Sequence, residues 1–228
     1  MSMRELPPPG PDAPAAALRG RGPVAIAAFV VLLAVGPFVE PLGAVLVLWW
    51  ATGTRTPWRA LGFARPVNAS SALAVGIAFG IAFKLAMKSL VMPLLHADPV
   101  NQAYHYLAHN NSAMPGMILE IIVGAGVGEE IVYRGFLFER FRTFFGSGHV
   151  ATAAMVLFGA IVFGAIHYPV QGLPGAEQAF FTGLVLGAIY AKTGRIWMLM
   201  VAHAAFDLTA LTIIYWDLET KVAHWFYR

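Results

Sequence analysis

The stretch Gly128-Glu129-Glu130-Ile131-Val132-Tyr133-Arg134-Gly135 sits inside an apolar run from Met117 to about Phe138. Two carboxylates and a guanidinium therefore lie in a segment that otherwise reads as membrane-spanning. One such side chain at the centre of a membrane helix costs about 2.5 to 3.5 kcal/mol. Residues retained at that cost face a bundle interior or a water-filled cavity, and they mark a functional site. Glu130 and Arg134 are four apart with the acid first, the better orientation for a helical pair. Glu129 lies roughly 100° round the helix from Glu130. Arg134 can thus neutralise Glu130 and leave Glu129 facing elsewhere, so Glu129 reads as the working carboxylate and the Glu130–Arg134 pair as its support.

Composition places this stretch in a membrane protein. The 228 residues are 58% hydrophobic and 12% charged, about half the charge of a soluble domain, and mean hydropathy is +0.67. With no cysteine, disulfides, thiolate catalysis and Cys-ligated metals are excluded. The excess of 15 Lys+Arg over 12 Asp+Glu belongs to loops and informs topology. No basic stripe interleaved with aromatics suggests a nucleic-acid partner.

Along the chain, residues 1–22 are a proline-rich tail with Arg4, Arg19 and Arg21 and nothing to pack. Pro23 to Trp50 is apolar but broken by Pro37, Glu40 and Pro41. It is one kinked span or, as Arg19, Arg21, Arg55, Arg59 and Arg65 on both flanks favour, a hairpin with both ends cytoplasmic. Ser70 to about Leu95 is the next span. Its Lys84 and Lys88 are expected to snorkel toward an interface, the sharper alternative pairing them with an acid such as Glu120. His96–Pro115 is an external loop. Met117 to about Phe145 follows, with Arg140 and Arg142 marking its cytoplasmic end. Ala151–His167 and Ala176–Ala191 flank a Gly172-Leu173-Pro174-Gly175 turn, and Ile196–Trp216 is the last span. The expectation is an all-α, polytopic transmembrane bundle of six to seven membrane helices. Residues 23–110 form its N-terminal helices and loop, 111–216 a four-helix catalytic core, and 217–228 an interfacial tail.

Three polar marks fall on the last helices. His167 ends one span, and His203 and Asp207 share a face of another. Helices joined by short loops pack as antiparallel neighbours, which would bring these groups to Glu129. The three marked helices contain no Ser, so acyl-enzyme chemistry is disfavoured and activation of water remains. A carboxylate in an apolar cavity is a stronger base than one in water. His167 can share the water or protonate the leaving amine, and His203 can donate to the developing oxyanion. Alternatively Glu129, His167 and His203 form a two-histidine, one-acid zinc site with an open position.

The motifs Glu129-Glu130-Ile131-Val132-Tyr133-Arg134, Phe163-Gly164-Ala165-Ile166-His167 and His203-Ala204-Ala205-Phe206-Asp207 resemble, in order and spacing, those of the CPBP (CAAX prenyl protease and bacteriocin-processing, or Abi) intramembrane proteases. The resemblance covers about residues 115–216. It implies an intramembrane endopeptidase that cuts membrane-associated peptides or proteins near the C-terminus, with or without zinc. Glu129 and His167 would activate water, supported by Glu130 and Arg134, and His203 with residue 207 would stabilise the oxyanion. One choice matters at the last position, where the family carries Asn or Asp: an Asn would be a neutral donor, and Asp207 donates only when protonated. An ionised Asp207 would instead orient His203 or bind a metal.

The expected setting is a bacterial inner membrane with the N-terminus cytoplasmic, and the substrate a secreted peptide precursor or membrane protein entering from the lipid. Two rivals are a non-catalytic, partner-binding regulator of the same fold and an ion transporter. The transporter would call for two related halves, which the sequence lacks. Depth poses a problem. At about 1.5 Å per residue, Glu129 lies roughly 15 Å inside Arg140 and His203 roughly 12 Å inside Arg195. His167 lies roughly 28 Å beyond Gly148 on the same count. On those yardsticks the three meet only if the His167 helix starts later or tilts strongly.

Overall fold

The computed structural model describes residues 13–35, 40–66 and 68–227, all helix, turn or loop among these. Its helices are α1 (Ala13–Arg19), α2 (Pro23–Val35), α3 (Glu40–Gly53), α4 (Ala69–Ala86), α5 (Met92–Leu94), α6 (Met114–Leu119), α7 (Leu137–Phe145), α8 (His149–Thr193), α9 (Trp197–Tyr215) and α10 (Glu219–Ala223). π-wound segments join α4 to α5 (Met87–Val91) and α6 to α7 (Glu120–Phe136). Such winding is rare and is found disproportionately at functional sites; here it carries Glu129, Glu130 and Arg134.

Among the described residues, three helical stretches are long and apolar enough to cross a membrane: Ala69–Leu94, His149–Thr193 and Trp197–Tyr215. A fourth is added if the pair Ala13–Arg19 and Pro23–Leu33, bent by 63°, counts as one span. This is fewer than the six to seven expected, for identifiable reasons. Helix α3 has 14 residues, short of the roughly 20 a crossing needs. The path from Met114 to Phe145 carries too many charged residues. Residues 149–193 count once although they reverse direction at Gly172, where φ is +65°.

That reversal is visible in the packing of the two limbs of α8. A Cβ on Gly164 would lie 2.9 Å from the Ala176 carbonyl oxygen, and one on Gly183 2.9 Å from Ala160 Cα. These pairs straddle Gly172, so the limbs form a close antiparallel hairpin about the expected glycine-proline turn. Residues 23–53 hold two helices, α2 and α3. Phe29, Leu32 and Leu33 of α2 and Ala44, Val47 and Trp50 of α3 enter one core cluster with Phe136 and Leu137; the connection 36–39 lies outside the described residues.

Two ends of the chain differ from expectation. Ala13–Arg19, within the presumed tail, is helical, and the buried Arg140 donates to the carbonyls of Leu18, Arg19 and Gly20 at 2.8–3.4 Å. A cation at the unsatisfied carbonyls of a helix C-terminus is favourable. Residues 1–12 lie outside the described residues. At the other end, α10 is docked: Glu219 is buried and accepts from the Asn101 N–H at 2.7 Å, from His105 Nδ1 at 3.1 Å and from Lys88 Nζ at 3.4 Å. It ties the 95–113 loop to the bundle.

Candidate active site

The register of the helices settles the depth problem. Residue 159 lies against Phe138, Phe163 beneath the Arg134 guanidinium at 4.6 Å, and His167 beside Glu129. The first limb of α8 thus runs antiparallel to 120–145 from the Gly146–Gly148 turn. Glu129 is 16 residues from the end of α7 and His167 is 18 from the start of α8, so they lie level. Arg140 was the wrong yardstick, because it is 1% exposed and mid-helix rather than at the surface. Helix α9 is aligned independently: a Cβ on Gly135 would lie 3.7 Å from Ile196 Cδ1, and one on Gly126 2.8 Å from Ala204 Cβ. Seven residues past Ile196, His203 comes level with Glu129.

The six side chains singled out by sequence converge. Arg134 Nη1 is 2.8 Å from Glu130 Oε1. His203 Nδ1 donates to that same oxygen at 2.8 Å, a contact the sequence did not suggest. Since Glu130 is fully buried and engaged by Arg134, it fixes the orientation of His203 and turns Nε2 outward. That nitrogen lies 3.6 Å from Glu129 Oε2 and 3.5 Å from Asp207 Oδ2. His167 donates through Nδ1 to the Phe163 carbonyl at 2.7 Å, which points its Nε2 toward Glu129 Oε1, 3.9 Å away. Phe163 serves as the floor, with ring centroids 4.7 Å from His167 and 5.9 Å from His203. Glu129 and His203 are 5% and 3% exposed.

These groups open on a cavity of about 300 Å³, lined by Glu129, His167, His203 and Asp207 together with Lys84, Glu120 and Gln178. Asn101, Tyr104 and Leu107 of the 95–113 loop close one side, and Gln171 donates to the Tyr104 hydroxyl across the gap at 3.4 Å. Both lysines of the Ala69–Leu94 stretch find partners within the protein. Lys84 is buried and donates to Gln178 Oε1 at 2.7 Å, while Lys88 pairs with Glu219 rather than Glu120. The sequence signal was present, a cation one turn from another in an apolar helix, but the side chains that partner them, Gln178 and Glu219, lie more than 90 residues away.

The two imidazoles approach opposite oxygens of Glu129 instead of converging with it on one point. Among the described residues no group of three or more His, Asp and Glu is placed to hold a metal ion. Spacings of 3.6 and 3.9 Å exceed a direct hydrogen bond and suit a bridging water.

No curated protein and no solved structure matches the chain. Residues 111–209 match the family model described as "Type II CAAX prenyl endopeptidase Rce1-like", a family of proteases, and this segment holds all six converging side chains. With its apolar helices, the chain is an integral membrane protein whose residues 111–209 match the Rce1-like family model, in line with its three motifs.

Proposed function

We propose that the protein is an intramembrane endopeptidase that hydrolyses a peptide bond in membrane-associated peptides or proteins with a water activated by Glu129 and His167. The carrying observation is Glu129 set between two imidazole Nε2 atoms in a cavity among apolar helices. With Nδ1–H committed to the Phe163 carbonyl, neutral His167 presents an accepting Nε2. A water can then donate one proton to each of Glu129 and His167, leaving a lone pair for the scissile carbonyl. Glu129 takes the proton as the tetrahedral intermediate forms and returns it to the departing amine. His203, held through Nδ1 by Glu130, donates from a protonated Nε2 to the oxyanion. Asp207 serves as the counter-charge of that imidazolium, not as a neutral donor.

In this reading the core is the four-helix unit of 120–145, both limbs of α8 and α9, within six to seven crossings and with a cytoplasmic N-terminus. Glu129→Gln in proteoliposomes containing a lipidated, internally quenched peptide tests it. The expected result is a loss of at least about 1000-fold in turnover with insertion and melting temperature unchanged. Retained cleavage would sink the mechanism.

A further inference from the structure

Lys84 lies outside the matched segment and has no part in the steps above. Its position is set by backbone contact. A Cβ on Gly76 would lie 2.8 Å from Val201 Cγ1, and one on Gly80 would overlap the Ala202 carbonyl oxygen, so α4 lies directly on α9. One turn beyond Gly80, the same face carries Lys84, with its ammonium 4.9 Å from the Phe206 ring centroid and bonded to Gln178. Among the described residues, Lys84 is the one Lys or Arg lining the cavity that contains Glu129, His203 and Asp207. Among the described residues, no carboxylate forms a direct ion pair with it. Asp207 lines the same cavity as Lys84, and Lys88 and Glu219 line the adjoining one that Lys84 also borders.

A buried ammonium without a direct counter-ion is costly, and in a membrane segment it marks function. The charges of the site show what that function is. Glu130 and Arg134 cancel, leaving Glu129 and Asp207 as two carboxylates against the single imidazolium of His203, with Glu120 lining the same cavity. An oxyanion at His203 Nε2 would form beside Asp207, whose Oδ2 is 3.5 Å from that nitrogen. An Asn at 207 would pose no such conflict. We propose that Lys84 is a further positioning residue of this site, its ammonium offsetting the Asp207 carboxylate so that negative charge can develop at His203.

The kinetic consequence rests on the peptidase reading; the pairing of Lys84 with Asp207 does not. The test compares Lys84→Met, Lys84→Arg, Asp207→Asn and Lys84→Met/Asp207→Asn in two readouts: melting temperature in detergent, and kcat and KM on the lipidated quenched peptide. Lys84→Met should lower kcat about 100-fold with KM held within about threefold, and should lower the melting temperature. Lys84→Arg should restore most of both. In the Asp207→Asn background, Lys84→Met should change kcat less than about threefold and leave the melting temperature unchanged or raised. Equal losses in both backgrounds would overturn the proposal. So would a rise in KM at constant kcat, which would make Lys84 an anchor for an acidic group on the substrate. A wild type that leaves the peptide intact but retains the Asp207-dependent melting shift supports the pairing and refutes the peptidase reading.

Discussion

Removing charge from the Glu130–Arg134 pair, singly and together, separates its structural from its functional contribution. Glu130 is 0% and Arg134 2% exposed, and their charged atoms are 2.8 Å apart. Glu130→Leu leaves a guanidinium in a low-dielectric site over the Phe163 ring, and Arg134→Met leaves an uncompensated carboxylate against His203. Each single change should cost about 3 to 5 kcal/mol, because the surviving charge is buried alone. The double variant buries no charge, and buried pairs replaced by apolar residues of similar volume are often neutral. It should fall within about 1.5 kcal/mol of wild type, far short of the sum of the single losses. Turnover should behave otherwise. Glu130 also holds His203 Nδ1, so both variants lacking it release the ring and should lose about 100-fold in kcat, stable or not. Melting of a fluorescent fusion in detergent reports stability, and cleavage of a quenched lipidated peptide reports turnover. A double variant as unstable as the summed singles would refute the pairing; one with wild-type turnover would refute the positioning of His203.

Two other outcomes follow from the geometry. Gly126→Val would force a Cβ to within 2.8 Å of Ala204 Cβ, prising α9 from the 120–136 segment. A cost of about 1 to 3 kcal/mol and loss of cleavage are expected, with recovery in Gly126→Ala/Ala204→Gly refuting nothing but failure in that variant counting against the register. Elemental analysis of protein purified without chelator should find no stoichiometric zinc in wild type or His203→Ala, since the imidazoles flank Glu129 rather than converge with it. About one zinc per chain, lost in the variant, would make this a metallopeptidase and overturn the water-bridge reading.

Much of the site was legible before any coordinates. Charge inside an apolar run is costly enough that Glu129, Glu130 and Arg134 stand out, and four-residue spacing alone predicts the Glu130–Arg134 pair and the shared face of His203 and Asp207. The Gly172 turn was equally readable, since glycine between prolines permits a positive φ and a reversal. Crossings were harder to count, because the length-and-hydropathy rule merges a hairpin whose limbs are both helical and passes over a helix studded with functional charge. Buried cations were the other difficulty. Arg140 read as a surface marker and Lys84 and Lys88 as snorkelling side chains, because a long amphipathic side chain gives no sign of which way it turns.

What the sequence determined by itself was local: which residues are helical, where the chain reverses, and which side chains carry chemistry too costly to be incidental. Tertiary structure alone decided how these meet. The antiparallel register of 120–145 with α8 brings His167 level with Glu129. The glycine-mediated contact of α4 with α9 carries Lys84 into the cavity. The second hydrogen bond of Glu130 turns His203 Nε2 toward Glu129 and Asp207. Each depends on close packing between segments tens of residues apart, where a few missing methyl groups set the distance and no periodicity in either segment records the other's position.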